Sequence, residues 1–179
     1  DGDGIEDLFV SQNFFGTSTD LTRDDAGFGL WLKGDGSGSF KALDAAISGI
    51  RIFGEQRGAA LVDFNHDGRV DLAVSQNNRP TMLYVNRRAK PGLHVALQGG
   101  PSNPDAIGAR LRMVYANDRK GPCRLVSAGS GYRSQDAAHQ VLGLQETPVA
   151  VWVQWPTGEQ RTIPVPSNEP LLRIRFSHE

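Results

Sequence analysis

Asp63-Phe64-Asn65-His66-Asp67-Gly68-Arg69-Val70-Asp71 is the stretch from which the rest of this chain can be read. It gathers three carboxylates, one side-chain amide and a glycine into nine residues. β-Type runs flank it: Gly58-Ala59-Ala60-Leu61-Val62 leads in, and residues 70–75 lead out. The same grammar occurs earlier in the chain. Asp3-Gly4-Ile5-Glu6-Asp7-Leu8-Phe9-Val10-Ser11-Gln12-Asn13 aligns with Asp67-Gly68-Arg69-Val70-Asp71-Leu72-Ala73-Val74-Ser75-Gln76-Asn77 at a constant offset of 64, with eight of eleven positions identical. This is an internal repeat.

Each unit continues alike, with a further β-type segment after a turn: residues 28–33 in the first and 81–85 in the second. Gly34-Asp35-Gly36-Ser37-Gly38 reads as a tight turn, since no phosphate-loop lysine follows it. Residues 41–50 fit either a short helix or an outer strand. Several strands per unit at this period predict propeller-type blades.

Beyond Asn86 the repeat stops, and Arg87-Arg88-Ala89-Lys90-Pro91-Gly92 reads as a linker. Period-two alternation follows. Leu111, Met113 and Tyr115 fall on one strand face opposite Arg110 and Arg112. Val149, Val151, Val153 and Trp155 alternate with Ala150, Trp152 and Gln154, and Leu172, Ile174 and Phe176 with Arg173 and Arg175. Turn signals at residues 99–104, 117–118 and 156–158 separate these runs. The expected fold is all-β: a partial β-propeller of about two blades over residues 1–88, the first cut short, then a small antiparallel β-sandwich over residues 89–179.

Composition adds limits. The 179 residues carry 22% charged side chains and a net charge of −1, the profile of a globular chain. Residues 1–85 hold a balance of −6 and residues 86–179 one of +5. The basic residues are scattered, which argues against nucleic acid as a partner. No run is long and apolar enough to predict a membrane span. The single cysteine, Cys123, excludes an internal disulfide and is expected to be a small buried hydrophobe.

The acidic loop points to calcium, a hard cation that takes six to eight oxygen ligands. Asp63, Asn65, Asp67 and Asp71 stand at loop positions 1, 3, 5 and 9, and the Arg69 carbonyl can fill position 7. In the first copy Asp1, Asp3, the Ile5 carbonyl and Asp7 remain. An EF-hand is excluded because its bidentate Glu at position 12 is replaced by Val74, and by Val10 in the first copy. Magnesium suits fewer protein ligands. Asp1-Gly2-Asp3-Gly4 reads as the middle of a motif, so further repeats are expected upstream.

Asp-x-Asn-x-Asp-Gly-x-x-Asp-Leu between strands, with Gly54 and Arg57-Gly58-Ala59-Ala60 ahead of it, resembles the calcium loop of FG-GAP/VCBS repeats, the blades of integrin-α-type propellers. The C-terminal half resembles the ASPIC/UnbV domain. The residues carrying this likeness are Ser102-Asn103-Pro104-Asp105-Ala106-Ile107-Gly108-Ala109-Arg110, Ala128-Gly129-Ser130-Gly131-Tyr132-Arg133-Ser134-Gln135 and Trp155-Pro156-Thr157-Gly158. Together these resemblances imply a secreted or cell-surface, non-catalytic module of the cartilage acidic protein type. Its calcium would hold the loops, and its partner would be a protein or a glycan. The alternative they imply is an accessory enzyme of secondary metabolism, as in the enediyne-linked branch.

Other side chains carry weaker expectations. Ser130, Asp136 and His139 could suggest a hydrolase, but the window around Ser130 fails the nucleophile-elbow pattern at both ends. Gly129 to Gln135 reads better as a structured turn, with Arg133 and Gln135 tying loops together by hydrogen bonds; the alternative use of Tyr132, Arg133 and Gln135 is as a ligand surface. His66 should point out of its loop, and His94 and His139 should sit at strand edges. No Cys/His cluster supports zinc. Trp152 and Trp155 fit core or sheet-surface packing better than a sugar platform.

Overall fold

A computed structural model describes residues 1–22, 27–166 and 171–177. Three strands open the chain: β1 (Leu8–Val10), β2 (Leu30–Gly34) and β3 (Phe40–Leu43). They form an antiparallel sheet in the order β1-β2-β3. A four-residue helix, α1 (Ala45–Ser48), follows. Residues 41–50 therefore divide: their first part is strand and their second is helix. Asp44 decides the break, because its carboxylate caps the helix at the Ala46 amide, 2.6 Å away.

The second meander is β4 (Gln56–Val62), β5 (Asp71–Gln76) and β6 (Arg79–Tyr84), in that order. The registers show the repeat. Leu8 pairs with Leu32 across β1 and β2, and Leu72 pairs with Tyr84 across β5 and β6. Ile50, Ile52, Leu72 and Val74 form a small core, with Phe9, Trp31, Ala59 and Tyr84 packed against it. Among the described residues the two meanders stand as separate three-stranded sheets.

The remaining strands are β7 (Leu93–Gln98), β8 (Arg110–Val114), β9 (Arg124–Leu125), β10 (Gln140–Leu142), β11 (Ala150–Gln154), β12 (Gln160–Pro164) and β13 (Leu171–Arg175). They make two sheets, β10-β7-β13 and β12-β11-β8-β9. Leu93, Val95, Leu97, Leu172 and Ile174 of one sheet share a buried cluster with Leu111, Met113, Val151 and Val153 of the other. Alternate residues pointing inward from two faces are the signature of a sandwich. Tyr115 and Trp155 complete this core, at 1% and 2% exposure.

Three expectations need correction here. The sandwich is not wholly antiparallel: β13 runs parallel to β7, because the chain crosses from one sheet to the other after the β11–β12 hairpin. Val149 does not join the inward face of β11; it lies ahead of the strand and is exposed, while Ala150 is buried. Cys123 is exposed. It lies in the turn leading to the two-residue edge strand β9, outside the core. Among the described residues no helix is long and apolar enough to cross a membrane.

Exposed apolar side chains are unevenly shared. Among the described residues, fourteen of the seventeen large exposed hydrophobics precede residue 86, among them Leu8, Val10, Phe40, Met82 and Leu83. The meanders thus leave apolar faces uncovered that the sandwich does not.

Candidate functional site

The two acidic loops match hydrogen bond by hydrogen bond. The Ile5 amide donates to Asp3 Oδ1 at 2.9 Å, and the Arg69 amide donates to Asp67 Oδ1 at 2.9 Å. The Asp3 amide reaches Asp1 Oδ1 at 3.2 Å, and the Asp67 amide reaches Asn65 Oδ1 at 3.2 Å. At the end of each loop a carboxylate receives an amide from the neighbouring strand's end: Gly34 to Asp7 Oδ1 at 2.9 Å, and Asn86 to Asp71 Oδ1 at 2.7 Å. Gly4 and Gly68 share a left-handed backbone, φ +81° and +80°, which a glycine adopts without strain. The 64-residue offset is therefore a repeat of geometry as well as of letters.

The loops differ in how their charge is met. In the second, Asp71 is 1% exposed and the Asp63 side chain is fully buried. Asp63 accepts the amides of Asp67 at 3.0 Å and Gly68 at 2.8 Å, and Asp71 Oδ2 accepts the Phe64 amide at 3.3 Å. Arg69 sits to one side. Its guanidinium donates to the Ala89 carbonyl at 2.7 Å and stands 3.2 Å from Asp67 Oδ2. Burial pulls the Asp67 carboxyl upward, but the Asn65 amide and Arg69 outweigh it and hold the group below its ordinary value. In the first loop the Lys33 ammonium bridges the Asp1 and Asp3 carboxylates, the latter at 3.1 Å. Asp7 is pushed above the ordinary carboxylate value by burial, against the opposing hydrogen bonds of Gly34 and Trp31.

An oxygen-only donor set with two buried carboxylates suits a hard cation, so the second loop fits calcium by its chemistry. The side chains do not form a closed cage. Among the described residues no three His, Cys, Asp or Glu side chains converge tightly enough to hold a metal ion. The carboxylates turn toward the loop's own amides instead. The first loop fits a metal less well, because an ammonium already occupies the space between two of its carboxylates.

A row of histidines beside the second loop had no signal in the sequence. The rings of His66, His94 and His139 follow one another at 6.3 Å between centroids. His66 is exposed, as its loop position requires. His94 is not at an edge; it lies on β7, the central strand of its sheet, with Nδ1 3.7 Å from Asp63 Oδ2. Burial lowers the His94 pKa, Asp63 opposes that, and the two neighbouring histidines add to it. These residues are 28 to 73 positions apart in sequence, so only the docking of the sandwich on the loop assembles them.

Residues 129–137 clasp the open edge of β4. Ser134 Oγ accepts the Ala59 amide at 2.9 Å, Asp136 Oδ1 accepts the Leu61 amide at 2.8 Å, and the Ala137 amide donates to the Leu61 carbonyl at 3.0 Å. An uncovered strand edge invites pairing with other chains, and this segment covers it. The segment is thus the structured turn read from the sequence, but the side chains that tie it to β4 are Ser134 and Asp136 rather than the expected Arg133 and Gln135. Tyr132, Arg133 and Gln135 remain on the outer side, exposed, with the Arg133 guanidinium 5.4 Å from the Tyr132 ring centre. Asp136 is committed to β4, and among the described residues no hydrogen bond links it to Ser130 or His139. Trp155 is in the core, and Trp152 lies on the outer face under Lys120, 4.8 Å from its ring centre, so the two make no shared platform.

A cleft of about 810 Å³ opens between the meanders and the sandwich. Phe9, Trp31, Leu72, Tyr84 and Tyr115 are among its walls, and both acidic loops reach its rim.

Residues 99–177 match the family model described as ASPIC and UnbV. An ASPIC/UnbV domain therefore occupies most of the sandwich, including the clasp. No FG-GAP or VCBS match accompanies it in the repeat half. No curated protein matches the chain.

Proposed function

We propose that the chain is a non-catalytic extracellular recognition module whose second acidic loop binds calcium to hold the strand ends in place. The observation that carries this reading is the burial of Asp63 and Asp71 in one loop. Among the described residues their oxygens meet amides and a His94 ring whose proton affinity is lowered. Burying carboxylates together costs free energy unless a positive charge offsets it. A cation bound to the folded loop and not to the unfolded chain would stabilise the fold by mass action.

The repeat, with its uncovered apolar faces, supports the wider picture of propeller-type blades. Further sheet-forming chain upstream would cover those faces. A division at residues 88/89 belongs to this reading, and the separate buried clusters on either side, one ending at Val74 and the other beginning at Leu93, support it. A protein or glycan partner would meet the exposed Tyr132, Arg133 and Gln135 at the outer side of the clasp. The test is thermal unfolding with calcium and with EGTA. Calcium should raise the melting temperature, and Asp67→Ala should remove that increment. An unchanged melting temperature in EGTA would overturn the calcium reading.

A further inference from the structure

We infer that Lys33 is a built-in cation of the first loop, supplying at Asp1 and Asp3 the positive charge that the reading above assigns to a bound ion in the second. The inference rests on that reading of the paired loops, and its own support is positional. Leu32 faces Leu8 as Tyr84 faces Leu72, and the next residues are Lys33 and Val85. The two positions after those, Gly34 and Asn86, donate amides to the matched carboxylates Asp7 and Asp71. Lys33 and Val85 therefore occupy the same place in two copies of one unit. At that place one copy carries an ammonium and the other carries an aliphatic side chain that can offer no charge.

The reach of the side chain completes the argument. Lys33 spans two carboxylates, Asp1 and Asp3, as an ion at the loop's centre would. These are the counterparts of Asn65 and Asp67 at the 64-residue offset. Arg69 does not do the same for the second loop. Among the second loop's carboxylates its ion pair is with Asp67, so it bridges no two of them as Lys33 does. Asp7, the counterpart of Asp71, lies outside that pair and meets the Asp1 amino group at 3.2 Å. At Asp1 and Asp3 the first unit thus carries a charge of its own that Val85 does not supply in the second.

Native-state amide exchange read by NMR tests this on the whole chain. The reporters are the Ile5 and Gly34 amides in the first loop and the Arg69 and Asn86 amides in the second. EGTA should leave exchange at Ile5 and Gly34 unchanged in the wild type. Lys33→Met, which keeps the stem and removes the charge, should speed exchange at both by about three- to fivefold, the scale of a partly exposed ion pair. Lys33→Arg should restore protection. Faster exchange at Ile5 and Gly34 on adding EGTA to the wild type would overturn the inference, as would a Lys33→Met protein with unchanged exchange there. If Lys33→Met fails to fold, the EGTA comparison on the wild type decides alone. The response of Arg69 and Asn86 to EGTA judges the calcium reading separately.

Discussion

Asp71→Ala removes a carboxylate that is 1% exposed and serves two amides: Asn86 at 2.7 Å and Phe64 at 3.3 Å. A hydrogen bond to a charged acceptor contributes about 1.5–3 kcal/mol, and a buried donor left without a partner costs about 1–3 kcal/mol. The longer Phe64 contact lies at the weak end. Relief of the buried charge returns part of the loss. The net cost is then about 3 kcal/mol, which for a chain of this size lowers the melting temperature by roughly 6–12 °C. The assay is thermal unfolding by circular dichroism in EGTA, so that lost metal binding does not add to the effect. Asp7→Ala is the internal comparison. It breaks the matching bond to Gly34, but the Asp7 side chain is 18% exposed and water can replace part of what is lost. Its cost should be smaller, about 1–2 kcal/mol. A cost below about 1 kcal/mol for Asp71→Ala would refute the claim that this carboxylate holds the strand ends together.

Other outcomes follow from the same geometry. Leu111→Ala, at a position with no exposure in the sandwich core, should cost about 2–5 kcal/mol by urea unfolding, and a cost under about 1 kcal/mol would mean the core is looser than described. Gly58→Ala drives a methyl group into the Arg133 carbonyl, so it should push the clasp off β4 and expose residues 129–137 to limited proteolysis; an unchanged digestion pattern would count against the clasp. The Asp35 carboxyl should titrate below its ordinary value in an NMR pH series, because the Ser37 hydroxyl and amide donate to it at 2.7 Å and 2.8 Å. The folded-state value is the depressed one, so the stability this turn contributes is present above the unfolded carboxylate value and is lost as pH falls through the folded one. Ser37→Ala should move that titration upward, and no movement would discount the hydroxyl as the cause.

Much of the candidate site could be read in advance because its residues are local. A turn of acidic residues closing on its own amides is fixed within nine positions, so the spacing of Asp63, Asn65, Asp67 and Asp71 was enough to find it. The histidine row and the β4 clasp were hidden for the opposite reason. His94 and His139 carry no periodic signal, and Ser134 and Asp136 meet backbone amides 75 residues away. The exposure of Cys123 was misread because a two-residue edge strand leaves too little alternation to mark an inner face.

By itself the sequence determined the repeat, the all-β character and the alternating inner face of the sandwich. These depend on local spacing and on the two-residue period of a strand. Tertiary structure decided which strands became neighbours. It set β13 parallel beside β7, laid residues 129–137 along β4 and brought Lys33 to Asp1 and Asp3. Those contacts join parts of the chain tens of residues apart, and their cost is loop closure, repaid only when both surfaces exist. No window of sequence contains both.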